Sequence, residues 1–172
     1  MIEASELSVI GIDPGKTLGW FRYDELCAYS GEFESISDLP HAGTAVVAIE
    51  TVKPYSQPLS QDVIDTCIQI GELKRRYPRA LLITRGEVKQ HLLGRATGSD
   101  TDVRRALIDI FGDPGTKKDP GRLYGVKGHG WAALAVAYVV YEQLCGRVGE
   151  ARRFCDAIAK RQIELPIEVP CK

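Results

Sequence analysis

Residues 9–20 read VIGIDPGKTLGW, an apolar run that ends on Asp13 and passes directly into a Pro-Gly turn. An apolar run bounded by turn residues predicts a buried strand. A second such run, at 45–49, ends on Glu50. Because consecutive strands are commonly neighbours in a sheet, we expect the two carboxylates to meet at one sheet edge. Carboxylates paired in this way predict a magnesium site, and magnesium indicates phosphate chemistry.

The composition is that of a single globular domain. The chain has 172 residues, of which 44% are hydrophobic, and we expect one domain over residues 1–172 with a C-terminal helix and tail from about residue 147. The longest apolar stretch, 132–140, is far shorter than the roughly 20 residues that cross a bilayer. We therefore expect a cytoplasmic protein without a membrane partner. The five cysteines show no Cys-x-x-Cys spacing, which argues against zinc and redox chemistry.

Charge is segregated along the chain, although the net charge is only −1. Residues 74–127 hold 13 Lys and Arg against 6 Asp and Glu, a net charge of +7, which leaves −8 for the rest. Such a basic middle can bind a polyanion while acids elsewhere hold a metal. Solvated helix faces would produce the same pattern, so charge alone leaves both interpretations open.

Hydrophobic periodicity predicts an α/β fold. Apolar runs separated by turn residues predict an antiparallel meander of three strands, at 7–12, 17–23 and 27–33. After the meander, strands alternate with helices; we expect strands at 45–49 and 79–84, and helices at 57–77, 87–93 and, after a Ser99-Asp100 cap, 101–111.

The last third of the chain begins with a segment rich in glycine and proline. This segment, 112–128, also carries four Lys and Arg residues, and we expect a mobile basic loop that closes over a ligand. An apolar helix is expected from His129 to about residue 144, and a second, more polar helix at 149–162.

Phosphodiester hydrolysis with magnesium requires acidic ligands for two ions about 3.5 to 4 Å apart. Asp13 and Glu50 are two candidates, and His129 at the start of the apolar helix is a third. Asp13 taken alone is more typical of a turn former, because its side chain can cap the Pro-Gly turn. Only its convergence with Glu50 and the later motifs favours a ligand.

Four short motifs follow one another along the chain: GIDPG at 11–15, AIE at 48–50, EVK at 87–89 with a following Leu93-Gly94, and HGWAALA at 129–135. In this order and spacing they resemble the successive motifs of RuvC-type Holliday junction resolvases. The resemblance runs from about residue 7 to residue 140 and is greatest to the shorter, divergent members found in phages and prophages.

The resemblance implies an RNase H-like fold, with a mixed five-stranded sheet and helices on both faces. It further implies a homodimer that resolves branched DNA, a four-way junction, by Mg²⁺-dependent endonuclease cleavage. The implied cofactor is Mg²⁺ or Mn²⁺, as two ions, held by Asp13, Glu50 and His129. The resemblance also implies that Lys89 lies near the scissile strand, where a cation can position phosphate.

Further contacts to DNA are expected from the basic middle and from one aromatic residue that would stack on an unpaired base. Taken singly, each cation is equally explained by a solvated helix face. The candidates for DNA binding are Lys89, Arg95, Arg104, Arg105, Lys117, Lys118, Arg122, Lys127 and Tyr55.

Ala132 departs from the resolvase pattern, in which an acid commonly stands three residues after the position of His129. Three explanations stay open: fewer acids suffice, another acid replaces it, or a substitution at this position abolishes cleavage. We favour natural variation, because His129 retains ligand capacity. Junction binding can survive the loss, since phosphate contacts dominate affinity. The alternative function is therefore a junction-binding protein that is catalytically impaired or inactive.

A third interpretation takes DPGKT, at 13–17, as the phosphate loop of an actin-like nucleotide-binding kinase. Such folds need two related domains, and a chain of 172 residues supplies one.

Overall fold

Five strands form one mixed sheet in the order β3-β2-β1-β4-β5. The computed structural model describes residues 7–24, 28–53 and 60–163, without the side chains of residue 28 and residues 147–163. The strands β1, β2 and β3 are antiparallel neighbours, whereas β1, β4 and β5 run parallel. This sheet confirms the predicted fold class. The strand bounds are β1 Val9–Asp13, β2 Leu18–Tyr23, β3 Ala28–Phe33, β4 Val46–Thr51 and β5 Leu81–Thr84.

The described residues contain four α-helices, and three of these helices begin at a capping side chain. The Ser60 hydroxyl accepts a hydrogen bond from the first turn of α1, and Thr84 and Ser99 form capping boxes at the starts of α2 and α3. These caps satisfy amide groups that lack a partner within the helix, which fixes where each helix begins. The helix bounds are α1 Gln61–Arg76, α2 Arg85–Leu93, α3 Asp100–Phe111 and α4 Gly130–Ile163.

One face of the sheet packs on α1. Ile10 and Ile12 of β1 and Ile49 of β4 form a buried hydrophobic cluster with Ile70 and Leu73 of α1. Full burial of such a side chain contributes about 1.5 to 3 kcal/mol. Successive side chains in a strand point to opposite faces, so this cluster also fixes which residues face the other way.

The opposite face of the sheet packs on α4. The residues on this face include Gly11 and Asp13 of β1, and Ala48 and Glu50 of β4. A Cβ atom added at Gly11 would collide with the backbone of Ala133 in α4. The helix therefore lies directly on β1, and the two acids at the strand ends lie beside it.

The predicted break between two C-terminal helices was wrong, because α4 runs continuously over Gly130–Ile163. The first helix was expected to end at about residue 144, but the chain continues through Gly146 as helix, and a glycine inside a helix costs only about 1 kcal/mol. By contacts the chain divides into two compact units, 1–141 and 142–172. None of the helices in the described residues is both long enough and apolar enough to span a membrane.

Residues 112–128, which follow α3, contain no helix, in agreement with the loop prediction. Backbone hydrogen bonds fold the segment on itself, from Thr116 to Asp119 at 2.9 Å and from Gly121 to Pro114 at 2.9 Å. Its end brings the chain to His129, the residue directly before α4.

Candidate metal centre

Asp13 and Glu50 lie side by side at the carboxyl ends of two parallel strands. Ile12 of β1 is in register with Ile49 of β4, so the next residue of each strand is one of the two acids. Both acids are buried, with 7% of Asp13 and 9% of Glu50 exposed. The predicted meeting of the two carboxylates at one sheet edge is therefore confirmed.

His129 approaches Asp13 from the loop before α4. A Cβ at Gly19, the β2 partner of Asp13, would collide with the His129 backbone, so glycine lets the loop pass over the sheet at this point. Nδ1 of His129 lies 2.9 Å from Oδ2 of Asp13. When Nδ1 donates its proton to this carboxylate, Nε2 becomes the nitrogen with a lone pair for a ligand or a proton.

The position of His129 is fixed by a second carboxylate. Oε1 of Glu32 in β3 accepts the backbone N–H of His129 at 2.9 Å. The preceding Gly128 has a φ of 46°, a conformation that favours glycine, and a Cβ there would collide with Glu32. Glu32 thus anchors the start of α4 to the sheet. No local sequence pattern predicts this contact, because 97 residues separate the two partners.

Burial raises the pKa of both strand-end acids. The pKa of Asp13 is raised by desolvation, and the hydrogen bond and charge of His129 offset part of the change. Desolvation, together with the charge of Asp13, raises the pKa of Glu50 to about 7. Two buried carboxylates of this kind repel each other, and they gain stability from any cation that enters between them.

Two residues that the sequence analysis did not assign to the site, Arg85 and Asp100, complete the charged cluster. NH1 of Arg85 lies 3.1 Å from Oε1 of Glu50, and NH2 lies 3.0 Å from Oδ2 of Asp100. Nε of Arg85 also donates to Oδ1 of Asp100 at 3.3 Å. Arg85 directly follows β5, and Ile83 of β5 is in register with Glu50, so the alignment of the two strands brings Arg85 close to this acid.

Arg85 stays charged in this setting. Burial lowers its pKa, but the charges of Glu50, Asp100 and Asp13 outweigh this effect and hold the pKa above its usual value. Lys89 of α2 adds a second cation, because its Nζ donates to the Gly98 carbonyl at 2.7 Å and lies 3.6 Å from Asp100.

These charged groups line one cavity of about 430 Å³. Its wall also includes Val88 of α2, Val103 of α3 and Ala132 of α4. Ala132 presents only a methyl group to this space. The cavity thus brings together four predicted catalytic residues, namely Asp13, Glu50, Lys89 and His129.

The chemistry of the donor set fits a hard divalent cation. Carboxylate oxygens are the ligands that a hard cation such as Mg²⁺ prefers, and Asp13 and Glu50 supply them from two adjacent strands. In the described part of the chain, however, no three His, Cys, Asp or Glu side chains converge on one point. Each acid of the pair has a partner, since the carboxylate of Glu50 is paired with Arg85 and that of Asp13 with His129.

The candidates for DNA binding separate into two groups. The guanidinium of Arg104 lies 4.5 Å from the Trp131 ring centroid, and that of Arg122 lies 5.6 Å from the ring of Tyr23. Arg122 also donates to the backbone carbonyl of Asp24. Tyr55 falls outside the described residues. Lys89 lines the cavity. The other candidates are exposed side chains that do not line it: Arg95, Arg105, Lys117, Lys118 and Lys127.

No protein-family model matches the chain, and no curated protein matches its sequence. Among solved structures, it is similar to Thermus thermophilus RuvC, with 20% identity, a TM-score of 0.51 and coverage of 83% of this chain and 97% of that chain. It is also similar to T. thermophilus RuvC in complex with Holliday junction substrate, with 21% identity, a TM-score of 0.52 and coverage of 83% and 96%.

The chain has a RuvC-type fold. The match spans nearly the whole of the T. thermophilus chains, so the similarity covers the complete fold. In the RuvC-type fold of this chain, the buried acids, His129 and Lys89 come from β1, β4, the loop before α4 and α2. They therefore reach one cavity from four separate elements.

Proposed function

We propose that this protein is a metal-dependent endonuclease that resolves four-way DNA junctions. The observation that carries the proposal is the buried pair of Asp13 and Glu50, which opens onto a cavity beside His129. Two carboxylates that are buried together from separate elements rarely serve the fold alone, and such pairs are common in sites that hold metal ions. The similarity to a RuvC structure solved with a Holliday junction substrate supports a branched DNA substrate.

In this proposal Asp13, Glu50 and Nε2 of His129 hold Mg²⁺ or Mn²⁺, as two ions. Such ions activate a water molecule and stabilise the leaving oxygen of a phosphodiester. Asp13 also sets the tautomer of His129 through its contact with Nδ1. Lys89 lines the cavity with its ammonium group and positions a phosphate of the scissile strand.

The exposed cations contribute affinity for the DNA backbone. Three of these cations, Lys117, Lys118 and Lys127, belong to the segment that ends at His129. Phosphates bound to this segment would therefore be held by residues that directly precede the cavity in the protein sequence. Arg95 and Arg105 add exposed charge after α2 and within α3. Contacts of this type set affinity and register and carry no sequence preference of their own.

We further propose that the protein acts as a homodimer. A four-way junction is resolved by two cuts in opposing strands, and a twofold dimer presents two identical sites for them. Ile64 and Ile68, one turn apart on α1, are 40% and 59% exposed and offer an apolar surface for a second copy. Light scattering coupled to size-exclusion chromatography measures this state directly.

Ala132 favours a second candidate function, a junction-binding protein without cleavage. The residue lines the cavity and supplies no ligand atom, so the site has one carboxylate fewer than the resolvase pattern. Such a protein would bind junctions with a steep dependence on salt and would leave them intact.

One experiment separates the two functions. The purified protein is incubated with a synthetic four-way junction and with a linear duplex of the same sequence, with EDTA, Mg²⁺ or Mn²⁺. The resolvase proposal predicts paired nicks in the junction that require the metal and disappear in Asp13→Asn. Junction binding without nicks in either metal would contradict the resolvase and support the binding protein.

A further inference from the structure

The guanidinium group of Arg85 occupies the centre of the acid cluster. It joins Glu50 of β4 to Asp100 of α3, two residues that are 50 positions apart in the chain. The Arg85 side chain is 46% exposed and that of Asp100 is 70% exposed, whereas that of Glu50 is only 12% exposed. The buried end of this bridge is therefore Glu50, and its other end lies toward solvent.

The two contacts of Arg85 are unequal. Two guanidinium nitrogens contact Asp100, Nε through a hydrogen bond at 3.3 Å and NH2 through an ion pair at 3.0 Å, whereas Glu50 is contacted by NH1 alone, at 3.1 Å. A two-point contact between an arginine and a carboxylate is more directional than a single one. Asp100 can therefore keep the guanidinium when the single contact to Glu50 is exchanged.

We propose that Arg85 is the resident cation of this cluster, and that a divalent ion reaches Glu50 by displacing the guanidinium onto Asp100. This inference rests on the proposed function, because it concerns the same metal site. Asp100 acts as the holder of the displaced guanidinium and keeps it at the edge of the cavity.

The exchange is favourable because Glu50 and Asp100 each keep a positive partner, Glu50 the divalent ion and Asp100 the guanidinium. A divalent ion supplies Asp13 and Glu50 with more positive charge than one guanidinium, and Asp100 keeps its partner throughout. Arg85 is thereby a competitor of the metal in the free protein. Removing this competitor should strengthen metal binding, whereas removing a true ligand would weaken it.

The test is the affinity of the full-length protein for Mn²⁺, measured by isothermal titration calorimetry without DNA. We expect Arg85→Gln to bind Mn²⁺ about tenfold more tightly than the unmodified protein, since one competing contact is lost. Arg85→Lys keeps the positive charge but lacks the planar guanidinium that contacts both acids. Its affinity for Mn²⁺ should lie between that of the unmodified protein and that of Arg85→Gln. Circular dichroism spectra establish that each variant is folded.

The matched control is Arg104→Gln. It removes the same charge from a guanidinium that packs on Trp131, a residue of the same cavity wall. We expect its Mn²⁺ affinity to change less than twofold. If Arg85→Gln and Arg104→Gln gain the same affinity for Mn²⁺, only the total positive charge near the cavity affects metal binding. This result would overturn the proposal.

The role of Asp100 is tested in two backgrounds. Asp100→Asn should weaken Mn²⁺ binding when Arg85 is present, because the guanidinium then stays on Glu50. In Arg85→Gln the same change should have less than a threefold effect. An equal loss in both backgrounds would make Asp100 a metal ligand and would contradict its role as holder.

Failure of the inference and failure of the proposed function give different results. If the unmodified protein and Arg85→Gln bind Mn²⁺ equally well, Arg85 is not a competitor, and the metal site itself stands. If neither binds Mn²⁺, the metal chemistry of the proposed function fails as well.

Discussion

The acid pair at the sheet edge and the basic segment at 74–127 differ in how firmly the fold defines them. Asp13 and Glu50 are held by strand register and are buried, so their separation follows from the sheet itself. Most predicted DNA-binding cations are exposed side chains on helix surfaces or in a loop. Substitution at the buried edge should therefore abolish a function, whereas substitution in the basic segment should change an affinity gradually.

The largest effect is expected for Asp13→Asn. Loss of this carboxylate removes a metal ligand and the partner of His129, and we expect metal-dependent junction cleavage to fall by roughly 10³-fold or more. Junction binding should change less than threefold. Single-turnover cleavage and an electrophoretic binding assay measure the two quantities. Asp109→Asn, an exposed carboxylate of α3, is the control, and an equal loss there would contradict the distinction between the two regions.

The next effect concerns the stability of the metal-free protein. Because the pKa of Glu50 rises from 4.5 in the unfolded chain to about 7 in the fold, the folded state holds a proton that the unfolded state releases. This contribution to stability is complete below about pH 4.5 and is lost as the pH rises to about 7. Glu50→Gln should therefore stabilise the protein at pH 8, by roughly 3 kcal/mol at most.

Urea unfolding in EDTA at pH 5 and pH 8 measures this change. Glu34→Gln, at an exposed position just after β3, is the control and should leave the dependence on pH unaltered. If Glu50→Gln has the same stability difference between the two pH values as the unmodified protein, Glu50 does not titrate as proposed.

A moderate effect is expected for Ala132→Asp. Ala132 lines the cavity, and a carboxylate there adds an oxygen ligand next to Asp13 and Glu50. We expect Mn²⁺ affinity to rise about tenfold, and cleavage to rise with it if the missing acid limits the reaction. Ala132→Asn has the same size without the charge and should not strengthen binding. If both variants behave alike, the cavity at position 132 does not contribute to the metal site.

The smallest effect is expected in the basic segment. The double change Lys117→Gln with Lys118→Gln should weaken junction binding several-fold and reduce the slope of log affinity against log salt by about 1 per lysine. Fluorescence anisotropy at several salt concentrations measures this slope. Arg122→Gln is the contrasting variant, because Arg122 packs on aromatic rings; it should lower stability and leave the slope unchanged.

The position of the acid pair could be predicted from the sequence because two apolar runs end on acids, and parallel neighbouring strands bring their ends together. His129 was predicted on different grounds, from its place at the start of the apolar helix and from the resemblance to the resolvase motifs. Short-range patterns also gave the caps at Ser99 and the positions of α1 to α3 within a few residues.

The remaining parts of the site depend on contacts that no local pattern encodes. Arg85 pairs with a glutamate 35 positions earlier, and Glu32 anchors an amide 97 positions later. Asp100 is predicted only as part of a helix cap, because its contact with Arg85 forms when α3 packs against α2. The continuity of α4 was missed because glycine weakens a helix without ending it.

The central claim is that a divalent ion binds between Asp13 and Glu50. A crystal soaked in Mn²⁺, with data collected for anomalous scattering, tests it most directly. We expect an anomalous peak within ligand distance of both carboxylates, with the Arg85 guanidinium moved from Glu50 and still paired with Asp100. A map without a peak in the cavity, in which Arg85 remains 3.1 Å from Glu50, would contradict the claim.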